Sequence, residues 1–196
     1  MEVTIYLVRH GETEWNKQDI IQGQSESALN QLGLMQAHEL KEQLTGIDFS
    51  QIYSSPLQRA YQTAKILANG QAIETREELK EIGVGPMEGL LKAEAMERYT
   101  TEYNAFWNRP DEFELAGAES FLQLQERAWR GLERIVNGAT GKVLVVSHGA
   151  LIQALLAKLK NIPLPELWGP GPPKNCGCQI IRFSHGHFIS LESLST

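Results

Sequence analysis

Two motifs in this sequence place a histidine directly before a glycine at the end of an apolar run. Arg9-His10-Gly11 follows Val3–Val8, and His148-Gly149 follows Lys142–Ser147. A third motif, Ser-Ser-Pro-Leu-Gln-Arg, brings Arg59 close to the end of another short apolar run. An imidazole can act as a nucleophile near neutral pH, and a guanidinium group binds anions such as phosphate. Two histidines and two arginines at run ends therefore indicate a site where an anion is bound and attacked.

The runs that carry these motifs predict buried β-strands, since Val3–Val8 and Lys142–Ser147 are almost wholly apolar. Helical patterns alternate with them, and a β-hairpin is predicted around residues 185–187. This alternation predicts an α/β fold with three layers, α/β/α, around a central, mostly parallel, mixed sheet. The predicted helices start after Asn30, at Ser55-Pro56, after Ser120 and at Ala150. Because ligands of such sheets bind beyond the carboxyl ends of the strands, His10, Arg59 and His148 are expected to meet at one edge.

The remaining stretches have weaker patterns. Gly11–Leu29 is predicted to be a long surface loop, and Leu79–Gly89 an irregular, glycine-rich segment with several carboxylates. Leu90–Phe113 is predicted to form two short helices. Pro163–Pro173 is rich in proline and glycine and predicts a further loop.

The composition is that of an ordinary globular protein: 196 residues, 42% hydrophobic and 21% charged, with a formal net charge of −6. We therefore expect residues 1–196 to form a single domain. The negative net charge argues against general nucleic-acid binding. No apolar run predicts a membrane span or a leader, so a cytoplasmic location is expected. Cys176 and Cys178 are the only cysteines, and we expect reduced thiols in a strand.

A metal centre is the main alternative to an anion site at this edge of the sheet. His10, His148 and Glu81 could supply three ligands. Two neighbouring arginines would oppose a divalent cation, which favours the anion site. The helices that begin near Pro56 and Gly149 are expected to add free N–H groups, because a helix N-terminus readily binds phosphate.

The first motif, Leu-Val-Arg-His-Gly-Glu-Thr-Glu-Trp-Asn at residues 7–16, resembles the signature of the histidine phosphatase superfamily, the phosphoglycerate-mutase-like proteins. The resemblance continues in the family's order over nearly the whole chain. The layout is most similar to that of bacterial broad-specificity and α-ribazole-phosphate phosphatases. The further matching segments are residues 22–23, 29–37, 53–60, 79–89, 117–120 and 146–149.

This resemblance implies a phosphohistidine mechanism that needs no metal ion or other cofactor. His10 would attack the phosphoryl group, and water would then hydrolyse the covalent intermediate. Arg9, Arg59 and His148 would hold the equatorial phosphoryl oxygens. Glu81 matches the position of the family's proton donor to the leaving oxygen. The rival carboxylates are Glu12, Glu88 and Glu119.

The resemblance also implies a set of substrate-binding residues. Asn16 and Gln22 would add neutral hydrogen bonds, and Gly11 would let the backbone approach the ligand closely. Gly149, in the second histidine motif, would also contact the substrate. Met87 departs from the family pattern, which often has an aromatic residue there.

The segment between Gly89 and Gly117 favours a phosphatase over a mutase. Mutases of the family carry a longer, basic segment there, whereas this one has only Lys92, Arg98 and Arg109 as cations. It is instead rich in aromatic residues, which predicts a partly apolar substrate pocket or, alternatively, core packing. The expected binding partner is a small phosphorylated substrate, and binding to nucleic acid or membrane is not expected. A homodimer is possible from the sequence. A mutase and a non-catalytic phospho-ligand-binding protein of this fold are the alternatives. The aromatic residues are Tyr99, Tyr103, Phe106, Trp107 and Phe113.

Overall fold

The computed structural model describes residues 2–194; Met1, Ser195 and Thr196, which the single-domain prediction also includes, lie outside the described residues. Its centre consists of the two apolar strands, β1 (Glu2–Arg9) and β4 (Gly141–Ser147). They pair in parallel, with Arg9 opposite Ser147. Both predicted strands are confirmed, and their register brings His10 and His148 to the same edge.

The sheet is mixed, as predicted. The strand order is β3-β2-β4-β1-β5-β6, in which β1 to β4 run parallel while β5 and β6 run antiparallel to their neighbours. The last two strands form the predicted hairpin. The four outer strands are β2 (Gln51–Ser54), β3 (Glu74–Thr75), β5 (Cys178–Ser184) and β6 (His187–Ser193).

Helices cover both faces of the sheet. Ile5 and Leu7 of β1 point into an apolar cluster with α6 and α7, whereas Tyr6 and Val8 point into a second cluster with α2 and α3. This alternation follows from the two-residue period of a strand, and it confirms the three-layer arrangement. None of the helices within residues 2–194 has the length and apolar character needed to cross a membrane. The helices are α1 (Glu14–Lys17), α2 (Gln31–Gln43), α3 (Gln58–Ala68), α4 (Lys92–Arg98), α5 (Thr100–Asn108), α6 (Phe121–Gly138) and α7 (Gly149–Leu159).

Three local predictions need correction. The third helix, α3, begins at Gln58 rather than at Pro56, because the N-cap Leu57 has an extended backbone with φ −61° and ψ 134°. The Ser55 hydroxyl accepts the N–H of Leu57 and also contacts Nε2 of His148. The loop at residues 11–29 contains one helical turn, α1, which Thr13 caps. Cys176 lies in a turn with a φ of 55°, and only Cys178 belongs to a strand.

Candidate active site

His10 lies immediately beyond the end of β1 and is almost fully buried. Its backbone N–H donates to the carbonyl oxygen of Ser147, which ties it to the end of β4. Its ring Nδ1 lies 2.7 Å from the carbonyl oxygen of Gly11. A carbonyl oxygen only accepts, so this contact places the ring proton on Nδ1 and leaves the Nε2 lone pair free.

The surroundings keep His10 neutral. Burial lowers its pKa well below the usual value, and the positive charges of Arg59 and Arg9 lower it further. The hydrogen bond to Gly11 acts in the opposite direction but is the smaller influence. His10 is therefore an unprotonated imidazole at neutral pH, which is the form that can attack an electrophile.

His148 follows β4 and is fully buried beside His10, with 5.2 Å between the ring centroids. Its Nε2 lies 2.7 Å from the hydroxyl oxygen of Ser55. Burial lowers the pKa of His148 well below its usual value, and Arg59, His10 and Arg9 lower it in turn. The site thus contains two neutral imidazoles.

The two predicted arginines both line a cavity at this edge of the sheet. Arg59 is buried and donates to the carbonyl oxygens of Gly23 at 2.6 Å and Ser25 at 2.9 Å, so it also organises the loop that follows α1. Burial lowers the pKa of Arg59 to about 10, while Glu81 raises it. Burial likewise lowers the pKa of Arg9, whose guanidinium donates to the carbonyl oxygen of Pro173. Arg59 therefore still carries its positive charge at neutral pH.

Buried side-chain nitrogen atoms without a hydrogen-bond partner are concentrated around the two histidines. Within residues 2–194, four buried side-chain nitrogens have no hydrogen-bond partner, and three are Arg9 Nε, Arg59 Nε and His148 Nδ1. The fourth belongs to Arg76. Leaving a buried donor unpaired costs about 1–3 kcal/mol, so a cluster of such donors calls for an acceptor supplied by a ligand. Two cations and a buried imidazole suit an anion with several oxygens.

Glu81 lines the cavity together with Arg9, His10 and Arg59, whereas the fully buried His148 is not among the lining residues. Its carboxylate oxygens accept the backbone N–H groups of Ala150 and Leu151, both at 3.0 Å, at the start of α7. These two N–H groups, which were predicted to face a ligand, are therefore occupied by Glu81. At the start of α3, Glu26 likewise accepts the N–H of Gln58. A helix dipole attracts carboxylates to its N-terminus, so a carboxylate takes up predicted anion-binding N–H groups at both helices.

The rival carboxylates have other positions. Glu88 accepts hydrogen bonds from the backbone N–H groups of Gln24 and Val84 and from the Ser25 hydroxyl, so it holds a loop together rather than being a plain surface group. Glu119 forms a paired contact with Arg127. Glu12 lines the cavity but accepts from Asn30 at 2.8 Å.

The predicted substrate-binding residues divide into two groups. Asn16, Gln22 and Gly149 line the cavity. Asn16 uses its Oδ1 to accept from Thr13, which leaves its amide N–H groups for a ligand. Gly11 is not among the lining residues, and a Cβ there would lie 2.5 Å from the carbonyl oxygen of Gly33. Close packing against α2 is by itself enough to require a residue without a side chain at this position.

An aromatic wall, consisting of Tyr103, Phe106, Trp107 and Trp168, closes one side of the cavity, whose volume is about 390 Å³. The predicted apolar pocket is thus present, although Phe113 is fully buried in the core. The sequence analysis missed Trp168. Its indole N–H donates to the carbonyl oxygen of Phe106 at 2.7 Å, so it is fixed against α5. A tryptophan inside a proline- and glycine-rich loop was the available signal.

The same analysis missed two hydroxyls that hold the predicted residues. Ser55 contacts His148, and the Thr63 hydroxyl accepts the N–H of Gly11 at 3.0 Å while donating to the carbonyl oxygen of Arg59. Ser55 belongs to the third motif, where it was predicted only to start a helix, and Thr63 follows the arginine of that motif by four residues. No group of three His, Cys, Asp or Glu side chains that could hold a metal ion occurs in the described part of the chain.

Comparison with known proteins agrees with this geometry. The profile of the histidine phosphatase superfamily (branch 1) matches residues 5–194. The metal-independent phosphoserine phosphatase of Arabidopsis thaliana is 41% identical over 166 residues, which cover 81% of this chain and 69% of that protein.

Two solved structures illustrate the fold. YhfR of Bacillus stearothermophilus matches with a TM-score of 0.92 and 33% identity, over 95% of this chain and 94% of that one. The α-ribazole phosphatase of Shigella flexneri matches with a TM-score of 0.87 and 24% identity, over 98% of this chain and 96% of that one. The predicted likeness in layout is confirmed at the level of the fold.

Proposed function

This chain belongs to the histidine phosphatase superfamily, and we propose that it hydrolyses monoesters of phosphate through a phosphohistidine intermediate on His10. The observation that carries the proposal is the neutral, buried imidazole of His10 beside unpartnered donors of Arg9, Arg59 and His148. The nucleophile and the groups that would bind an anion are thus found at one sheet edge.

In the first step, Nε2 of His10 forms a bond to phosphorus while the bond between phosphorus and the ester oxygen breaks. Negative charge in such a transfer spreads over the three equatorial oxygens. Arg9, Arg59 and His148 supply the charge and hydrogen bonds that those oxygens need. These groups already stand in place in a buried site, so little reorganisation is required when the charge develops.

The leaving oxygen needs a proton, and Glu81 is the proposed donor. It is the carboxyl group of the cavity that lies at the start of α7, next to the histidine motif of β4. In the second step, water attacks the phosphohistidine, the bond between phosphorus and Nε2 breaks, and Glu81 takes the proton of that water. Inorganic phosphate then leaves and His10 returns to its neutral form.

The proposed substrates are phosphate esters of small metabolites. A cavity of about 390 Å³ suits a small molecule, and the Arabidopsis relative carries the name of a metal-independent phosphoserine phosphatase. The aromatic wall favours leaving groups with an apolar part. The proposed location is the cytoplasm, since both cysteines are free and buried, as in reducing compartments; fractionation of cells would test this.

A screen of phosphate esters in the presence of a chelator tests the proposal, with phosphoserine, an aryl phosphate and 3-phosphoglycerate among the substrates. We expect release of inorganic phosphate by the wild type and a loss of at least about a thousandfold in His10→Ala. His38→Ala, which removes an exposed histidine on α2, serves as the matched control and should keep full activity. Isomerisation of phosphoglycerate without phosphate release, or activity abolished by the chelator, would contradict the proposal.

A further inference from the structure

Ser55 occupies the turn between β2 and α3 and is fully buried. Its backbone N–H donates to the carbonyl oxygen of Val146 at 2.9 Å, which fixes it against β4 two residues before His148. Its hydroxyl oxygen lies 2.7 Å from Nε2 of His148. Two strands of the sheet thus hold this serine and this histidine in a defined relation.

The direction of the hydrogen bond between them follows from the other partners of the hydroxyl. Ser55 Oγ accepts the backbone N–H of Leu57 at 3.3 Å. Its own proton has no acceptor within residues 2–194 other than Nε2 of His148. Because a buried donor is rarely left unpaired, the hydroxyl donates and Nε2 accepts. A neutral imidazole that accepts at Nε2 carries its proton on Nδ1.

This tautomer has a consequence for an anion beside His10. Nδ1 of His148 is buried and has no partner in the described part of the chain. As an N–H it donates to a phosphoryl oxygen, whereas in the other tautomer it would present a lone pair to that oxygen. A third form, with protons on both ring nitrogens, is disfavoured because burial and the surrounding cations lower the pKa of His148. The ring is therefore one of the two neutral tautomers.

We propose that Ser55 is a positioning residue that fixes His148 as the Nδ1–H tautomer, so that this neutral ring donates a hydrogen bond to an equatorial phosphoryl oxygen. The catalytic consequence rests on the proposed phosphatase function, while the tautomer itself does not. Ser55 acts through His148 and contacts no substrate.

The tautomer can be measured directly in the free protein. Nitrogen-15 NMR of histidine-labelled protein distinguishes a protonated ring nitrogen from one with a lone pair, and His148→Gln identifies the signals of His148 by their loss. We expect Nδ1 protonated and Nε2 unprotonated in the wild type. Ser55→Ala should populate the Nε2–H tautomer. A wild-type spectrum with the proton on Nε2 overturns the proposal without any activity assay, and it would do so even if the alanine variant failed to fold.

Kinetics provide the second readout. Removal of one preorganised donor to a developing oxyanion typically costs 10²–10³-fold in turnover. Loss of the tautomer preference should approach this cost. We therefore expect kcat of Ser55→Ala to fall by about 10- to 100-fold. Ser55→Thr keeps the hydroxyl and should restore most of the loss. Ser54→Ala is the matched control, since Ser54 is equally buried but donates to the carbonyl oxygen of Ser55 and not to His148. Equal losses in the two alanine variants, or full kcat in Ser55→Ala, would overturn the proposal.

The two readouts also separate this proposal from the phosphatase function. If the NMR result holds while neither the wild type nor any variant hydrolyses phosphate esters, the phosphatase function fails and the role of Ser55 in fixing the tautomer stands.

Discussion

At the scale of single residues, the site combines a neutral imidazole, the proposed nucleophile His10, with fixed positive charge. His10 loses its proton because burial and two arginines disfavour the charged ring. The arginines keep their charge because a guanidinium group is too basic to lose its proton, even where burial lowers its pKa to about 10, as for Arg59. Burial therefore leaves His10 as an uncharged base beside guanidinium groups that keep their positive charge.

Replacement of Glu81 by glutamine tests the proton donor. Gln cannot give up a proton, so turnover of an alkyl phosphate, whose leaving oxygen is strongly basic, should fall by about 100-fold or more. Turnover of p-nitrophenyl phosphate, whose leaving group needs little help, should fall less than about tenfold. The measurement is kcat for both substrates. Glu88→Gln, which disturbs a structural carboxylate outside the cavity lining, should affect both substrates equally. Equal losses in Glu81→Gln would show that the acid lies elsewhere.

Truncation of Trp168 tests the aromatic wall. Trp168→Ala removes a large apolar surface from the cavity and frees the carbonyl oxygen of Phe106. We expect KM for an aryl phosphate to rise about tenfold, since loss of roughly 1.4 kcal/mol of apolar contact changes affinity by that factor. KM for phosphoserine should change less. Unchanged KM for the aryl ester would exclude this tryptophan from substrate binding.

At the scale of elements, the end of β1 is linked to α3 by the hydroxyl group of Thr63. Thr63, in the middle of α3, accepts the N–H of Gly11 and donates to the carbonyl oxygen of Arg59. The first and third sequence motifs are thereby joined through one buried oxygen. Residues 11 and 12 also pack closely against α2: a Cβ at Gly11 would meet the carbonyl oxygen of Gly33, and a Cβ at Gly33 would meet the backbone of Glu12.

Thr63→Val should lower the free energy of unfolding by about 1–3 kcal/mol, because the buried N–H of Gly11 loses its acceptor. Thr63→Ser keeps the hydroxyl and removes only a methyl group, so its loss should be smaller. Denaturant unfolding of both variants provides the measurement. If serine destabilises the protein more than valine does, packing and not the hydrogen bond is the important contribution of Thr63.

The strands and helices could be predicted because their signals are local. Val3–Val8 and residues 142–147 are almost wholly apolar, and a helix was predicted to start after Ser120; the strands and this helix were confirmed. The start of α3 was misplaced because Leu57 is extended, in a turn whose Ser55 also contacts His148 across 93 residues. The carboxylates at the N-termini of α3 and α7 were missed for the same reason, since Glu26 and Glu81 come from distant loops. Contacts of this kind depend on the folded sheet and leave no pattern in a local window.

At the scale of the whole molecule, folding brings histidines into a buried site where they must stay neutral. His10 and His148 have lowered pKa values in the folded protein, whereas the unfolded chain returns them to about 6.5. Below that pH the unfolded state binds more protons than the folded one. Acid therefore favours unfolding, and stability increases with pH through this range.

We expect each of these histidines to reduce the free energy of unfolding by about 1.4 kcal/mol between pH 7.5 and pH 5.5. Above about pH 8 neither histidine contributes appreciable pH dependence, because the unfolded chain no longer binds these protons. Urea unfolding at the two pH values measures the effect, under our proposal that the chain unfolds as one domain. His10→Gln should show a smaller difference between the two pH values than the wild type or His38→Ala. An identical difference in His10→Gln would mean that folding leaves the pKa of His10 unchanged, against the lowered value expected from burial and the two arginines.

The central claim is that His10 becomes phosphorylated, and the most direct measurement traps that state. The enzyme is mixed with a phosphorus-32 labelled ester, quenched in denaturant at alkaline pH after a few milliseconds, and mapped by mass spectrometry. We expect a phosphoryl group on His10 that is stable to alkali, is released by acid, and is absent from His10→Ala. Turnover of the ester without label on His10, or label on any other residue, would contradict the mechanism.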